Sequence, residues 1–238
     1  MHERQLQVRR LGRFAYADGL DLQKKLEQEV IERRETDYLL LLEHPHTFTI
    51  GRRATENGVL VNAEMLKKLD ATVHETNRGG KVTYHGLGQI VGYPIISLSP
   101  DRKDVHKYVR DLEEVLIRTL EDFDIEAFRI ADLTGVHTKD GKVAAIGVHI
   151  KRWVTTHGFA LNVNTDLSYF DWIIACEGEP VASMERLLGR ELDLSEVENR
   201  IIDNFTAVFG RQLTEGGRPL AEGRRPFAEG SKQLALGR

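Results

Sequence analysis

The residues best suited to chemistry lie in a glycine-rich stretch near the middle of the chain. Residues 78–89 read Arg-Gly-Gly-Lys-Val-Thr-Tyr-His-Gly-Leu-Gly-Gln, so four glycines alternate with side chains that can donate hydrogen bonds. Glycine lacks a Cβ and tolerates positive φ, which allows the backbone to approach a ligand closely. A tight hairpin needs only about one or two glycines. The pattern therefore favours a ligand-binding loop over a plain turn.

Cys176 is the only cysteine of the 238-residue chain. A lone cysteine is most often a small buried hydrophobe. This one follows the apolar run Trp172-Ile-Ile-Ala175 and precedes Glu-Gly-Glu-Pro, which predicts that it lies where an ordered element ends and a loop begins. That position suits a nucleophile, provided that a base or a positive charge stabilises the thiolate. Both interpretations stay open from the residues alone.

Lys142 and two histidines are further candidates. Lys142 begins a strand-like run that contains two alanines and a glycine, so a flat ligand or an alkyl chain has room beside this strand. The alternative is a solvated lysine next to a hairpin turn. His149 and His157 lie beside apolar strands, where a histidine is more often structural than a ligand. Sequence spacing alone does not bring these segments together.

Hydrophobic periodicity predicts a mixed α/β domain in which strands outnumber helices. An Asp-Gly pair at residues 140 and 141 predicts a hairpin, and Ser195 is the expected N-cap of the last helix. The predicted strands cover residues 6–11, 37–43, 47–50, 71–76, 90–96, 125–130, 134–137, 142–150 and 155–164, and the predicted helices cover residues 17–34, 63–69, 105–123, 184–188 and 196–209.

The folded body is expected to end near residue 210. Residues 1–210 carry the periodic apolar patterns of one domain. Residues 211–238 are rich in glycine, arginine, glutamate and proline, with only isolated apolar residues. Such a composition buries too little apolar surface to fold alone, so it predicts a flexible C-terminal extension.

The composition of the whole chain argues against several classes of protein. Hydrophobic residues make up 41% and charged residues 29%, as in an ordinary globular protein. A net charge of -4 argues against a nucleic-acid binder, and no apolar run approaches the length of a membrane span. The polar, basic start of the chain does not resemble a secretory signal, and a single cysteine fits a reducing compartment, so we expect a cytoplasmic protein. No Cys/His spacing resembles a metal site.

Five motifs in order resemble the lipoyl (octanoyl) transferases of the lipoate–protein ligase B type. The resemblance covers roughly residues 40–209. It implies a mixed sheet with packed helices, the fold of the biotin and lipoate protein ligase catalytic domains, and it makes residues 1–210 the catalytic domain. The motifs are the stretch 78–89, Gly141-Lys-Val-Ala-Ala-Ile-Gly147, Arg152-Trp-Val-Thr155, His157-Gly-Phe-Ala-Leu-Asn162 and the segment from Phe170 to Cys176.

The resemblance also implies an activity and a set of site residues. An octanoyl or lipoyl group would pass from acyl carrier protein to a lysine of a lipoyl domain, with Cys176 as nucleophile and Lys142 as the residue that activates it. The acceptors would be the lipoyl domains of 2-oxoacid dehydrogenase complexes and the glycine cleavage H protein, and no cofactor is expected. The substrate-binding residues would be Arg78, Gly79, Gly80, Lys81, Val82, Thr83, Tyr84, His85, Ala145, Ile146, Gly147, Gly158, Phe159 and Ala160.

Three positions depart from the family pattern. Leu87 and Ala175 stand where proline is usual, and Glu177 follows the cysteine where Gly-Ile or a similar pair is usual. The last change puts a charge beside the expected nucleophile. The cysteine and the lysine themselves are present.

Two other functions and one docking surface follow from the same residues. An ATP-dependent lipoate or biotin ligase would share the fold and would not need Cys176. A non-catalytic acyl-binding module would share the pocket, but such a module is expected to lack the cysteine or the lysine. If the partner proteins are acidic, we expect Arg78, Lys81 and Arg152 to contribute to their docking.

Overall fold

The computed structural model describes residues 4–33, 36–54, 58–100, 102–174 and 180–214. Over these residues the protein is a mixed α/β fold, which confirms the predicted class. The strands are β1 (Gln5–Arg13), β2 (Thr36–Glu43), β3 (Thr47–Ile50), β4 (Thr72–Glu75), β5 (Val82–His85), β6 (Gln89–Ile95), β7 (Val136–Thr138), β8 (Gly141–Lys151), β9 (Val154–Asn162) and β10 (Gln212–Leu213). The helices are α1 (Tyr16–Arg33), α2 (Ala63–Lys68), α3 (Val105–Glu121), α4 (Met184–Leu188), α5 (Leu194–Phe209) and a 3-10 helix, Leu167–Trp172.

The strands form one large sheet and one small sheet. The large sheet has the order β10-β1-β2-β6-β9-β8-β7, with β1 parallel to β2 and antiparallel pairing from β2 to β7. The small sheet has the order β4-β3-β5. Every residue of β6 and β9 is buried, as expected for strands in the middle of a sheet that is covered on both faces.

Alternating side chains of β2 divide the core into two layers. Leu39 and Leu41 belong to the cluster that contains the buried faces of α3 and α5. Leu40 and Leu42 belong to the cluster that contains Leu26 of α1. Successive strand residues point to opposite faces, so one apolar strand anchors helices on both sides of the sheet.

Two sequence predictions about local structure are wrong. Residues 125–130 do not form a strand; Phe128 makes only an isolated bridge to His137, and the Arg129 side chain reaches Glu113 on α3 at 3.2 Å (Nε to Oε2). The N-cap of α5 is Asp193, whose Oδ1 accepts from both the backbone N–H and the hydroxyl of Ser195 at 2.8 Å. Aspartate fills this capping position as readily as serine does.

The ordered body extends past the boundary predicted at residue 210. The guanidinium Nε of Arg211 lies 2.8 Å from the Asp37 carboxylate, and β10 pairs with β1. The backbone N–H of Thr214 donates to Leu6 O at 3.1 Å. The sheet therefore includes the first residues of the predicted extension, and residues 215–238 lie outside the described part. Among the described residues, no helix has the length and hydrophobicity to span a membrane.

Candidate active site

A pocket opens where the glycine-rich stretch crosses the face of β8 and β9. The predicted substrate-binding residues line it, all but Gly79 and Tyr84. Lys142 also lines it, which brings the predicted lysine and the predicted binding residues into one cavity. The remaining lining residues include Tyr16, Gln89, Val91, Tyr93, Thr134, His157, Asn162, Phe170 and Val181.

Arg78 is turned into the protein rather than outward. Its side chain is 7% exposed. The guanidinium NH2 nitrogen donates to Thr49 O at 2.7 Å and to Thr49 Oγ1 at 2.8 Å, and NH1 donates to Gly79 O at 2.9 Å. The expectation that Arg78 contributes to an exposed docking surface is therefore wrong. Its charge lies at the pocket wall, where it is held in one orientation by these oxygens.

The glycines of the stretch allow close packing of backbone on backbone. A Cβ on Gly147 would lie 2.8 Å from Gly79 O, and a Cβ on Gly51 would lie 2.5 Å from Gly80 O. The N–H of Gly79 donates to Val148 O at 3.0 Å, which fastens the stretch to β8. The missing side chains thus let the loop lie directly on β8 and on the turn after β3. Part of the glycine signal comes from this packing, in addition to the room that it leaves for a ligand.

Residues 82–85 form a strand inside what the sequence suggested was a loop. β5 pairs with β3, with Val82 opposite Ile50 and His85 opposite Thr47. Strand alternation sends Tyr84 away from the pocket. There its hydroxyl lies 2.7 Å from His46 Nδ1, and its ring stacks on Tyr169 with a centroid distance of 4.8 Å. His85 points to the other side and lines the pocket.

A ring cluster forms one side of the pocket: Tyr16, His44, His85, Tyr93 and His157. Tyr16 stacks on His85 at 6.0 Å between ring centroids and meets His44 edge-on at 5.0 Å. His44 Nδ1 lies 2.6 Å from Phe14 O, so this nitrogen donates, and Nε2 accepts from the Tyr93 hydroxyl at 2.7 Å. The tautomer of His44 is therefore set by its two partners.

Burial keeps the rings of this cluster uncharged near neutral pH. Desolvation lowers the pKa of His44 to about 4, and desolvation followed by the positive charge of Arg78 lowers the pKa of His157 to about 4. The pKa of His85 lies well below its ordinary value, mainly because of burial. Burial raises the pKa of Tyr16 to about 12 and that of Tyr93 well above its ordinary value. The pocket is thus lined by neutral polar rings.

Lys142 lies near the start of β8, at the hairpin that the Asp-Gly pair predicted. Its backbone N–H donates to Pro180 O at 2.8 Å, and its carbonyl accepts from Ala182 N–H at 3.0 Å. Its side chain passes close to Gly135, where a Cβ would lie 2.9 Å from the lysine Cε. Lys142 is partly buried and lines the pocket, which favours the ligand-binding interpretation over that of a lysine on an open surface.

Cys176 lies outside the described residues, in the gap between residues 174 and 180. The described residues on both sides of that gap reach the pocket. Phe170 in the 3-10 helix and Val181 after the gap both line it. On the first side, Ile174 N–H donates to Gly58 O at 2.8 Å; on the second, Val181 forms a bridge to Lys142. Described residues on both sides of the gap, Phe170 before it and Val181 after it, therefore lie at the pocket.

Sequence reasoning missed Tyr16 and Tyr93. Tyr16 begins α1, and Tyr93 interrupts the apolar run of β6 with a hydroxyl group. A tyrosine in a fully buried strand needs a hydrogen-bond partner, so Tyr93 within the apolar sequence of β6 indicates a polar neighbour there. His149, which the sequence suggested, does not line the pocket. Over the residues that the structure describes, no group of three or more His, Cys, Asp or Glu side chains is placed to hold a metal ion.

Comparison with known proteins identifies relatives along almost the whole body. Residues 15–206 match the lipoyl protein ligase A/B catalytic domain. An octanoyltransferase from Solibacter usitatus is 48% identical over 210 residues, which cover 88% of this chain and 95% of the relative. A second octanoyltransferase, from Christiangramia forsetii, is 41% identical over 229 residues and covers 88% and 98% of the two chains.

A solved structure confirms the fold. The crystal structure of lipoate-protein ligase A bound with ATP is similar to this chain with a TM-score of 0.71, at 19% identity, over 89% of this chain and 87% of the other. At this identity the likeness concerns the fold alone. The mixed sheet with packed helices that the motifs implied is therefore the fold of this protein.

Proposed function

The chain belongs to the lipoyl protein ligase A/B catalytic-domain family and is an octanoyltransferase, an acyltransferase of protein lipoylation; we propose that it takes the octanoyl group from acyl carrier protein and passes it, through a thioester on Cys176, to a lysine of a lipoyl domain. The observation that carries the proposal is the pocket that Lys142 shares with the predicted binding residues. Phe170, before the gap that contains Cys176, and Val181, after it, also line this pocket.

The reaction requires a nucleophile and a group that moves protons. The Cys176 thiolate attacks the donor thioester carbonyl, the C–S bond to phosphopantetheine breaks, and the departing thiolate takes up a proton. The amine of the acceptor lysine then attacks the new thioester, loses a proton, and releases the Cys176 sulfur. In the proposal Lys142 carries the proton between these groups. A thioester is converted to an amide, so neither a nucleotide nor another cofactor is required.

The chemistry of the pocket wall supports an acyl chain as its occupant. Ala145 and Ala160 are directly opposite each other on β8 and β9, and both line the pocket. Their small side chains leave space along the strands beside Phe159. The neighbouring histidines are held neutral by burial. An alkyl chain gains free energy when it leaves water for the apolar part of this wall.

The proposed partners are acyl carrier protein as donor, and as acceptors the lipoyl domains of 2-oxoacid dehydrogenase complexes and the glycine cleavage H protein, all in the cytoplasm. Because Arg78 is buried, we assign the docking role expected of it to exposed arginines beside residues 78–80. Arg52 and Arg53 are exposed, and their backbone N–H groups donate to Arg78 O at 3.1 Å and Gly80 O at 3.0 Å. Their positive charge favours the approach of acidic partners.

The source of the energy for transfer tests the proposal against the ligase alternative. Octanoyl-acyl carrier protein and a lipoyl domain are mixed with the enzyme in the absence of nucleotide, and acylation of the domain is followed by mass spectrometry. We expect transfer under these conditions. Transfer from free octanoate with ATP and Mg²⁺, together with none from the thioester, would identify a ligase instead.

The role of Lys142 is tested by Lys142→Arg, with Lys139→Arg as the matched control. Lys139 is an exposed residue of the same hairpin turn. Arginine retains the charge but does not release a proton near neutral pH. We expect Lys142→Arg to lose most transfer activity and to react more slowly with iodoacetamide at its single cysteine, while Lys139→Arg keeps both rates. Equal transfer and alkylation rates in the two variants would contradict a role for Lys142 in the mechanism.

A further inference from the structure

A chain of buried side-chain hydrogen bonds leads from the pocket to the backbone beside Lys142. His85 Nδ1 lies 2.8 Å from Gln89 Oε1. Gln89 Nε2 donates to Asn162 Oδ1 at 2.9 Å, and Asn162 Nδ2 donates to Ala182 O at 3.0 Å. Gln89 is 1% exposed and Asn162 is 4% exposed. In such a dry setting each of these bonds is difficult to replace by water.

The direction of each bond in the chain is fixed by the others. Gln89 Nε2 also donates to Tyr84 O at 3.1 Å, so both of its hydrogens point at oxygens. Gln89 Oε1 must then face His85 and accept from the Nδ1–H of that ring. Asn162 likewise uses its oxygen toward Gln89 and its amide hydrogens toward Ala182. Neither amide can be turned over without placing oxygen against oxygen.

Ala182 is one of the residues that hold the backbone of Lys142. The N–H of Ala182 donates to Lys142 O, while Lys142 N–H donates to Pro180 O. Gly141 permits this contact, because a Cβ there would lie 2.3 Å from Pro180 O. Residues 180–182 therefore lie between Lys142 on one side and the Asn162 amide on the other. They are also the first described residues after the gap that contains Cys176.

We propose that Asn162 and Gln89 are positioning residues of the octanoyl-transfer reaction, which hold residues 180–182 against Lys142 and thereby fix the position from which Lys142 exchanges protons. This inference rests on the proposed function. Neither amide is the base or the nucleophile. Their part is to prevent a displacement of the 180–182 backbone, and misplacement of a reacting group by about 1 Å can cost a rate roughly 100-fold.

The chain supplies a matched control for Asn162. Asn164, two residues further on, also binds a distant backbone with both ends of its amide: Nδ2 donates to Leu192 O at 2.8 Å and Oδ1 accepts from Leu192 N–H at 3.0 Å. Its partner, Leu192, lies before α5 and is not part of the chain of hydrogen bonds that leads from His85 to Ala182. Loss of this amide removes bonds of the same kind without releasing residues 180–182.

The test compares Asn162→Ala and Asn164→Ala in two assays. The first is single-cysteine alkylation by iodoacetamide as a function of pH; the second is steady-state transfer from octanoyl-acyl carrier protein. For Asn162→Ala we expect a higher midpoint pH of alkylation and a kcat lower by roughly 10- to 100-fold, with KM within about 2-fold. For Asn164→Ala we expect the parent midpoint and the parent kcat, even where its melting temperature falls.

Identical alkylation profiles and identical kcat for parent and Asn162→Ala would overturn the inference, as would the same changes in both variants. If Asn162→Ala does not fold, Asn162→Asp takes its place, since it has the same shape and keeps the acceptor for Gln89 but has no donor for Ala182 O. The alkylation assay needs no acyl donor. A parent protein that fails to take octanoate from the carrier therefore contradicts the proposed function, while a midpoint shift in Asn162→Ala still supports the positioning role.

Discussion

Two buried polar clusters lie near opposite ends of the same strand, β2, and they are built on different principles. Near its start, the Asp37 carboxylate is fully buried and binds two arginines: Arg4 Nε and NH2 at 3.0 and 2.8 Å, and Arg211 Nε at 2.8 Å. It also accepts from Ser97 N–H at 2.9 Å. Just after the end of β2, His44 enters the ring cluster, in which each histidine is neutral.

The two clusters show where this fold uses charge and where it avoids it. Asp37 on β2 binds Arg4 just before β1, Arg211 just before β10, and the backbone N–H of Ser97 two residues after β6, so opposite charges hold together the β10-β1-β2 edge of the sheet. The ring cluster lies at the pocket, where burial and neighbouring rings disfavour protonation. If one charge of the Asp37 cluster is removed, the remaining charges are buried without a partner of opposite sign. The second cluster can be changed with smaller effects on folding, but the effects are pH-dependent.

The largest expected effect on stability is that of Asp37→Ala. Breaking a buried ion pair by removal of one partner costs about 3–5 kcal/mol in the free energy of unfolding. We expect this loss in urea unfolding at pH 7, with transfer activity per folded molecule unchanged. Asp21→Ala is the control, because Asp21 and its partner Lys24 are 77% and 72% exposed in their side chains, and such a pair contributes below about 1 kcal/mol. Similar losses in both variants would contradict the importance of the Asp37 cluster.

His44→Gln is expected to change how stability depends on pH. In the folded protein the pKa of His44 is lowered from 6.5 to about 4, so the unfolded chain binds the proton more tightly. The stability that neutral His44 contributes is complete above pH 6.5 and is lost as pH falls toward 4. Between pH 7 and pH 5 the parent should lose about 2 kcal/mol more than His44→Gln in the free energy of unfolding.

Other titrating groups contribute equally to the stability of the parent and of the variant, so their contributions cancel in the difference between the two. Burial raises the pKa of Glu198 to about 7, and that carboxyl titrates in both proteins alike. Urea unfolding at several pH values between 5 and 7 gives the two curves. Parallel curves would mean that His44 is not kept neutral by the fold.

Thr49→Val is expected to have the smallest effect on stability of the three. Valine has the shape of threonine but lacks the hydroxyl that accepts from Arg78 Nε at 3.2 Å and NH2 at 2.8 Å. Arg78 retains its bond to Thr49 O. We expect a loss of about 1–2 kcal/mol, in the range for a hydrogen bond to a charged group, and a higher KM for octanoyl-acyl carrier protein. A stability loss with an unchanged KM would show that the orientation of Arg78 is not needed for binding.

The sequence predicted the parts of the site that depend on local pattern. The Asp-Gly hairpin placed Lys142 near the start of β8, and the small residues Ala145 and Gly147 of that strand line the pocket, whereas Ala144 faces the core. The same kind of pattern is present in β5, where Val-Thr-Tyr-His alternates, so Tyr84 and His85 point to opposite sides once these residues form a strand. A single loop over residues 78–89 does not predict that distinction.

Other features depend on contacts between distant residues and leave no local signal. Arg78 is buried because Thr49, 29 residues earlier, supplies the acceptors for its guanidinium. The ring cluster collects side chains from α1, β5, β6, β9 and the turn after β2. The Gln89–Asn162 bond joins residues 73 positions apart. Their residue types were visible in the sequence, but only the sheet topology brings them together.

The most direct test of the proposed function is whether Cys176 carries the acyl group. The parent protein is incubated with octanoyl-acyl carrier protein without an acceptor, and its intact mass is measured before and after addition of a lipoyl domain. We predict that one octanoyl group is added to the parent and then transferred to the domain, and that Cys176→Ala acquires none. Equal acyl loading of Cys176→Ala, or transfer by this variant at the parent rate, would contradict the acyl-enzyme mechanism.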